Sequence, residues 1–244
     1  MIVLDRRISE KKSYRRKNGT VHLGLVNLFL ENNIRLIALG LNEEINIIHF
    51  MPVWHHHLVV AEYVRVLSRN LQIGSLTTKK LYISALLHDV SKIMWDDRLH
   101  VYPYRFLTDD EKKKIIDHPK ESVEIISKCV SEKHKRTLYA GDPSIVDMVL
   151  MHHEKPNGSG YYGITDIPRS AALLAVADVF DACTENRPYR SKNMNPDEAF
   201  KAAVEPYKML FAEDEILVMR MALIWALQQR SHYTTFFFSE RDIT

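Results

Sequence analysis

The chemistry available to this chain lies in its histidines and aspartates. They occur as His55-His56-His57, His88-Asp89, His118, His152-His153 and Asp178. Imidazole nitrogen combined with carboxylate oxygen suits zinc, iron, manganese or nickel. Twelve histidines is a high count for 244 residues. The two cysteines, Cys129 and Cys183, are far apart and have no neighbouring cysteine, which argues against a thiolate zinc site.

The local settings matter more than the count. ALLHDVSKI puts His88 and Asp89 after an apolar stripe, where burying both is costly unless something binds them. AVADVFDA sets Asp178 in an apolar helix at the same cost. His118 precedes Pro119, which disfavours helical backbone and predicts a helix junction there. VLMHHE ends a helix, where His152 and His153, about 100° apart on an ideal helix, can converge on one centre. Taken singly, each has a plainer reading: Asp178 pairs with an arginine, His118 makes a junction hydrogen bond, and His22, His49, His100, His134 and His232 have no role. Taken together, five separated sites point to a metal centre.

The elements that must bring these residues together are helices. Thr77 can cap TKKLYISALLHDVSKI, and Thr108 with Glu111 forms a capping box before DDEKKKIID. Pro119, Pro143, Pro168 and Pro196 sit at expected first helical positions, with Asp142 and Asn195 as caps. Alanine-rich SAALLAVADVFDA suits a central helix. The expected fold is all-α. A helical extension is expected over 1–50, a catalytic domain over 51–210, and a helix with an aromatic tail packed on the same domain over 211–244.

Composition narrows the partners. A net charge of +2 gives no long-range field for DNA, and the basic run Lys11, Lys12, Arg15, Arg16, Lys17 reads as a solvated tail or an anion-binding arm. No apolar run reaches the roughly 18 residues that span a bilayer, and no signal peptide is evident, so a cytoplasmic setting is expected. A homodimer or a signalling-protein partner is compatible with this composition.

In order, His56, HD at 88–89 with Lys92, HP at 118–119, HHE at 152–154, GSGYY, and VADVFDACTENRPYR from Val176 to Arg190 resemble the HD-GYP branch of the HD phosphohydrolase superfamily. The likeness covers about residues 52–210. It implies an HD-domain helical bundle with a metal centre in its core, hydrolysing cyclic di-GMP with two or three ions, usually iron or manganese. By position it implies His56, His88, Asp89, His118, His152, His153 and Asp178 as metal ligands and Lys92 at the scissile phosphate. Tyr161, Arg187 and Arg190 would surround the nucleotide. Ala61, Glu62 and Tyr63 set the register that selects His56 over His55 and His57. Three-metal members carry a glutamate where this chain has Pro52, so two ions are expected. Tyr162 replaces the proline of GYP, Asn157 a usual aspartate, and Ser91 and Ser122 usual glycines.

Two divalent ions about 3.5–4 Å apart can share a hydroxide and clamp the attacking and leaving oxygens at phosphorus. Asp89 is the natural bridge, because a carboxylate has two oxygens and an imidazole one free nitrogen. Two such ions against Asp89 and Asp178 leave a site that attracts a phosphodiester anion. Lys92, four positions after His88, is expected one helical turn away on the same face. Glu154 and Asp181 are expected to orient imidazoles or anchor Arg187. Gly158 and Gly160 would let the loop turn and bring Tyr161 over the substrate, to stack on a base or bond a phosphate. Three other readings compete: a phosphohydrolase for another nucleotide, an HD-fold diiron oxygenase, against which the RPYR segment and the GSGY loop speak, and a non-hydrolytic binding or adaptor module.

Overall fold

The computed structural model describes residues 47–129, 132–185 and 193–230, and among these every regular element is a helix. Arg187, Arg190, the basic run and the aromatic tail lie outside the described residues. Among the described residues nine α-helices follow in order: α1 Ile47–Asn70, α2 Ser75–Leu87, α3 Asp97–Val101, α4 Asp109–Cys129, α5 Glu132–Leu138, α6 Ile145–Met151, α7 Arg169–Thr184, α8 Pro196–Val204 and α9 Glu213–Gln228. Short 3₁₀ turns span Val90–Met94, Tyr104–Phe106 and Glu205–Leu210. The first helix runs across residue 50, where the sequence suggested a boundary.

The central pair is α1 and α7. In α7 the residues from Ser170 through Asp178 are all buried, which a helix with no polar stripe requires. Its alanines let α1, α2, α6 and α8 approach it. Tyr63 of α1 meets Phe180 of α7 edge-on at 5.6 Å between ring centroids. Behind α1 lies α9, tied at its exposed rim by Arg169–Glu215 and Arg220–Asp197 ion pairs. Such exposed pairs contribute little, about 0–1 kcal/mol each.

Several helix starts follow the expected chemistry. Thr108 and Glu111 exchange hydrogen bonds at the start of α4, and Asn195 accepts from the Asp197 N–H ahead of Pro196. Others differ. The α2 helix starts at Ser75 with Gly74 as its cap, three residues before Thr77, and ends at Leu87 rather than running through Lys92. Ser144, with Asp147, caps α6 in place of Asp142. Pro168 is the cap residue of α7 rather than its first helical position. Pro119 sits inside α4, not at a junction. That helix tolerates the proline because the amphipathic face on both sides is packed, and because the carbonyl that the proline leaves without a donor finds another one.

Candidate metal centre

The other donor is His118 itself. Pro119 has no N–H for the carbonyl four residues back, Ile115. The His118 ring takes that place, with Nδ1 at 2.6 Å from Ile115 O. Helix ends do the same for two more rings, since the last carbonyls of a helix have no intrahelical donor. His88, which caps α2, holds Ala85 O at 2.7 Å, and His152, which caps α6, holds Val149 O at 2.6 Å, each through Nδ1. For His56, in the middle of α1, a carboxylate does this work: Asp181 Oδ2 lies 2.7 Å from Nδ1. In the neutral ring, a hydrogen on Nδ1 leaves each Nε2 as a lone pair directed inward.

Those inward atoms converge on Asp89. One of its oxygens, Oδ1, is 2.9 Å from His118 Nε2 and 3.6 Å from His152 Nε2. The other, Oδ2, is 3.3 Å from His88 Nε2 and 3.8 Å from His56 Nε2. Asp178 Oδ1 stands 3.0 Å from His56 and 3.7 Å from His88, and Oδ2 is 4.0 Å from His153. Two four-residue groups result, Asp89-His118-His152-His153 and His56-His88-Asp89-Asp178, each with donor atoms within 4.8 Å of one another. Asp89 belongs to both.

Asp89 reaches this place because α2 stops at Leu87, two residues earlier. Its backbone, φ −115° and ψ 19°, lies in the bridge region between helix and strand, and the chain then enters the 3₁₀ turn. Lys92 therefore does not continue the face of His88 on an α-helix. It folds back on the turn, and Nζ meets Asp89 Oδ2 at 2.5 Å. Trp95 follows, its ring edge-on to His118 at 5.9 Å and Lys92 Nζ 5.5 Å above it.

Electrostatics shows the cost of gathering these groups. Burial, with the Lys92 ammonium nearby, lowers His118 to about 4. Burial and the neighbouring His152 and His118 rings hold His153 well below its ordinary range. At His88 burial opposes the charge, but Asp89 and Asp178 outweigh it and raise the ring to about 10. Asp89 and Asp178 stay ionised although burial resists it, held well below the carboxylate range by the surrounding cationic groups. His118 Nε2 and His152 Nε2 are 3.3 Å apart, both with Nδ1 already given to a carbonyl. Two lone pairs that face each other so closely need a cation or a shared proton between them. The donor set thus fits divalent ions in both groups.

The neighbouring histidines lie apart from these groups. His55 is part-exposed and lies 3.6 Å from Glu185, and His57 is fully buried with its ring 5.1 Å from that of His88. Neither belongs to the two groups that share Asp89.

The glycine-rich loop lies over the His152-His153 side. Gly158 takes φ +73°, while Gly160 is required by close approach, since a Cβ there would fall 2.6 Å from Glu154 Cα. Glu154 does not orient an imidazole. It is fully buried, and its two oxygens accept the N–H groups of Tyr162 and Ile164 at 2.9 and 2.8 Å. A proline at position 162 could not make the first of these bonds. The Tyr162 hydroxyl donates to Ile116 O at 2.9 Å and Lys120 covers its ring, so the substitution docks the loop on α4. Burial raises that phenol to about 12. Tyr161 points the other way, its ring 4.7 Å from His153 and 6.0 Å from His118.

The two serines at expected glycine positions meet each other. Ser122 Oγ donates to Ser91 Oγ at 3.1 Å, and Ser91 Oγ donates to His118 O at 3.0 Å, all buried. They clip the 3₁₀ turn to α4 behind the site. Sequence reasoning missed this pair, and also Trp95, Tyr207 and Arg230. Tyr207 donates its hydroxyl to Glu154 O at 2.8 Å, and Arg230 reaches Asp181. These residues carry no local pattern that could have marked them.

The helical fold and the His-Asp centre place the chain in a known class. It belongs to the HD domain family, whose profile matches residues 30–208. A cyclic di-GMP phosphodiesterase of Pseudomonas aeruginosa is 31% identical over 153 residues, which is 62% of this chain and 34% of the relative. A 3′3′-cGAMP-specific phosphodiesterase of Vibrio cholerae is 28% identical, over 56% of this chain and 30% of its own length. The HD domain of the L. monocytogenes phosphodiesterase PgpH, solved in complex with cyclic-di-AMP, superposes with a TM-score of 0.52 at 18% identity, over 77% of this chain and 92% of that one. That likeness speaks for the fold. The chain spans about a third of the length of the curated relatives it matches. No described helix is long and apolar enough to cross a membrane.

Proposed function

We propose that the chain is a metal-dependent phosphodiesterase of the HD-GYP branch that opens cyclic di-GMP, or a related cyclic dinucleotide, to the linear dinucleotide or to GMP. The observation that carries this is Asp89, one oxygen turned to each of two ligand groups, in one of which the His118 and His152 lone pairs face one another. His56, His88 and Asp178 would hold one ion and His118, His152 and His153 the other, with Asp89 common to both. Iron or manganese is the expected metal, in two copies. When bound, such a pair ionises water near neutral pH and stabilises charge on phosphoryl oxygens.

The chain's own groups account for the rest. The Lys92 ammonium, beside Asp89 and part-exposed, can hold a non-bridging phosphate oxygen. Tyr161 presents a ring or a hydroxyl next to His153, at the edge of a cleft of about 210 Å³ that Lys155, Ser159 and Tyr207 also line. Arg187 and Arg190 are proposed on the resemblance alone, to grip the nucleotide. The domain limits 51–210, a cytoplasmic location and a second copy or signalling protein as macromolecular partner belong to the same reading.

The test is turnover by purified, metal-analysed protein of cyclic di-GMP, 3′3′-cGAMP, linear pGpG and a bis-aryl phosphate, with Asp89→Asn as control. Cleavage of a cyclic dinucleotide that Asp89→Asn abolishes is expected. Turnover of the aryl ester alone would move the substrate to another nucleotide, which the Tyr162 loop makes the second reading. Binding without turnover in any metal would make the chain an adaptor.

A further inference from the structure

A third group of candidate ligands lies behind His56, made of His56 itself, Asp181 and Glu185. It shares the ring with the main centre but uses its other nitrogen: Nε2 faces Asp178 and Asp89, while Nδ1 faces Asp181. A cation is already in place there. Arg230, just past α9, puts Nη2 3.3 Å from Asp181 Oδ1 and 3.1 Å from Glu185 Oε1. Asp181 is fully buried, and among the described residues its Oδ1 accepts no hydrogen bond, so the guanidinium supplies charge compensation to that oxygen. The Arg230 side chain is only 17% exposed, which strengthens the attraction relative to a surface pair.

We propose that Arg230 is a positioning residue for the metal centre. Its guanidinium stands in the third group where an ion would otherwise sit, holds Asp181 against His56 Nδ1, and thereby directs Nε2 at Asp178 and Asp89. The inference rests on the reading of His56 as a metal ligand. It ties Arg230, just past α9, to His56, 174 positions earlier in sequence. It also limits the centre to two ions, because the third set of ligands is neutralised by the protein itself.

The experiment measures Mn²⁺ bound per chain and its affinity for the wild type, Arg230→Ala and Arg230→Lys, with a circular-dichroism melt of each. Two ions per wild-type chain are expected. In Arg230→Ala one of the two should bind about ten- to a hundred-fold more weakly, the scale of losing a group that orients a ligand. Added guanidinium, far below denaturing concentration, should restore that affinity, and Arg230→Lys should lie between. Unchanged affinity in Arg230→Ala would overturn the proposal. So would a loss that guanidinium does not relieve and that Arg230→Lys shares in full, since it would mark simple packing. Three ions in the wild type would overturn it while leaving the hydrolase reading intact, and none would remove both.

Discussion

At His118, burial and a nearby ammonium press the ring down to about 4. An unfolded histidine titrates near 6.5. The folded, metal-free chain therefore prefers neutral His118, and as pH falls below about 6.5 the unfolded state takes up the proton first. Stability drains away from there to about pH 4. His88 has the opposite sign: raised to about 10, it stabilises fully below 6.5 and loses that contribution as pH rises toward 10. Urea midpoints of metal-free protein should thus fall on both sides of about pH 6.5. His118→Gln should flatten the acid limb and His88→Gln the alkaline one, and an unaltered profile in both would refute the assignment. Metal-loaded protein needs every ligand ring neutral, so activity should decline below about pH 6. The residues of the two candidate groups stood out in the sequence because buried imidazole and carboxylate are expensive and so conspicuous. Arg230 and Trp95 were not, because an arginine or a tryptophan is ordinary anywhere until its neighbours are known.

Among the elements, the loop from Glu154 to Ile164 is organised by one buried carboxylate that accepts two backbone N–H groups. Gly160 leaves room for it, and Gly160→Ala would force a methyl against Glu154 backbone and carboxylate. We expect a loss of about 1–3 kcal/mol in chemical denaturation, the usual cost of overpacking. We also expect reduced cyclic-dinucleotide turnover, as Tyr161 shifts from His153. Equal stability to the wild type would mean that the loop does not hold this conformation. Most helices could be read in advance, since capping side chains and an alanine-rich apolar run act locally. Boundaries were less readable where tertiary contacts decided them: α2 stops at Leu87 to release Asp89, and α4 runs through Pro119 because both its halves are packed. Ser91 and Ser122 looked like two unrelated departures. Only the fold shows that they are partners 31 residues apart.

For the whole molecule, five imidazoles and two carboxylates in two overlapping groups put polar and charged atoms into the interior at a cost that a bound cation would offset. A ligand that binds only the folded state adds stability by mass action, about 2.7 kcal/mol at a hundredfold excess over its dissociation constant. Chelation should lower the melting temperature and Mn²⁺ or Fe²⁺ should restore it, with the gain rising with metal concentration. A melting temperature indifferent to both would show that the groups do not bind metal. The all-α architecture was evident from punctuation alone, but the way in which α1 and α7 form the centre and α9 backs them was not, because packing partners are remote in sequence.

Pro119 imposes a compromise on α4. An interior proline costs a helix about 3 kcal/mol or more, and exchanging it for alanine would give Ile115 O the amide it lacks. The chain would become sturdier, yet the imidazole next door would be ousted from its anchor and free to swivel. At this position robustness and reactivity are rivals, and a library selected for heat tolerance alone would drift toward well-behaved but inert proteins.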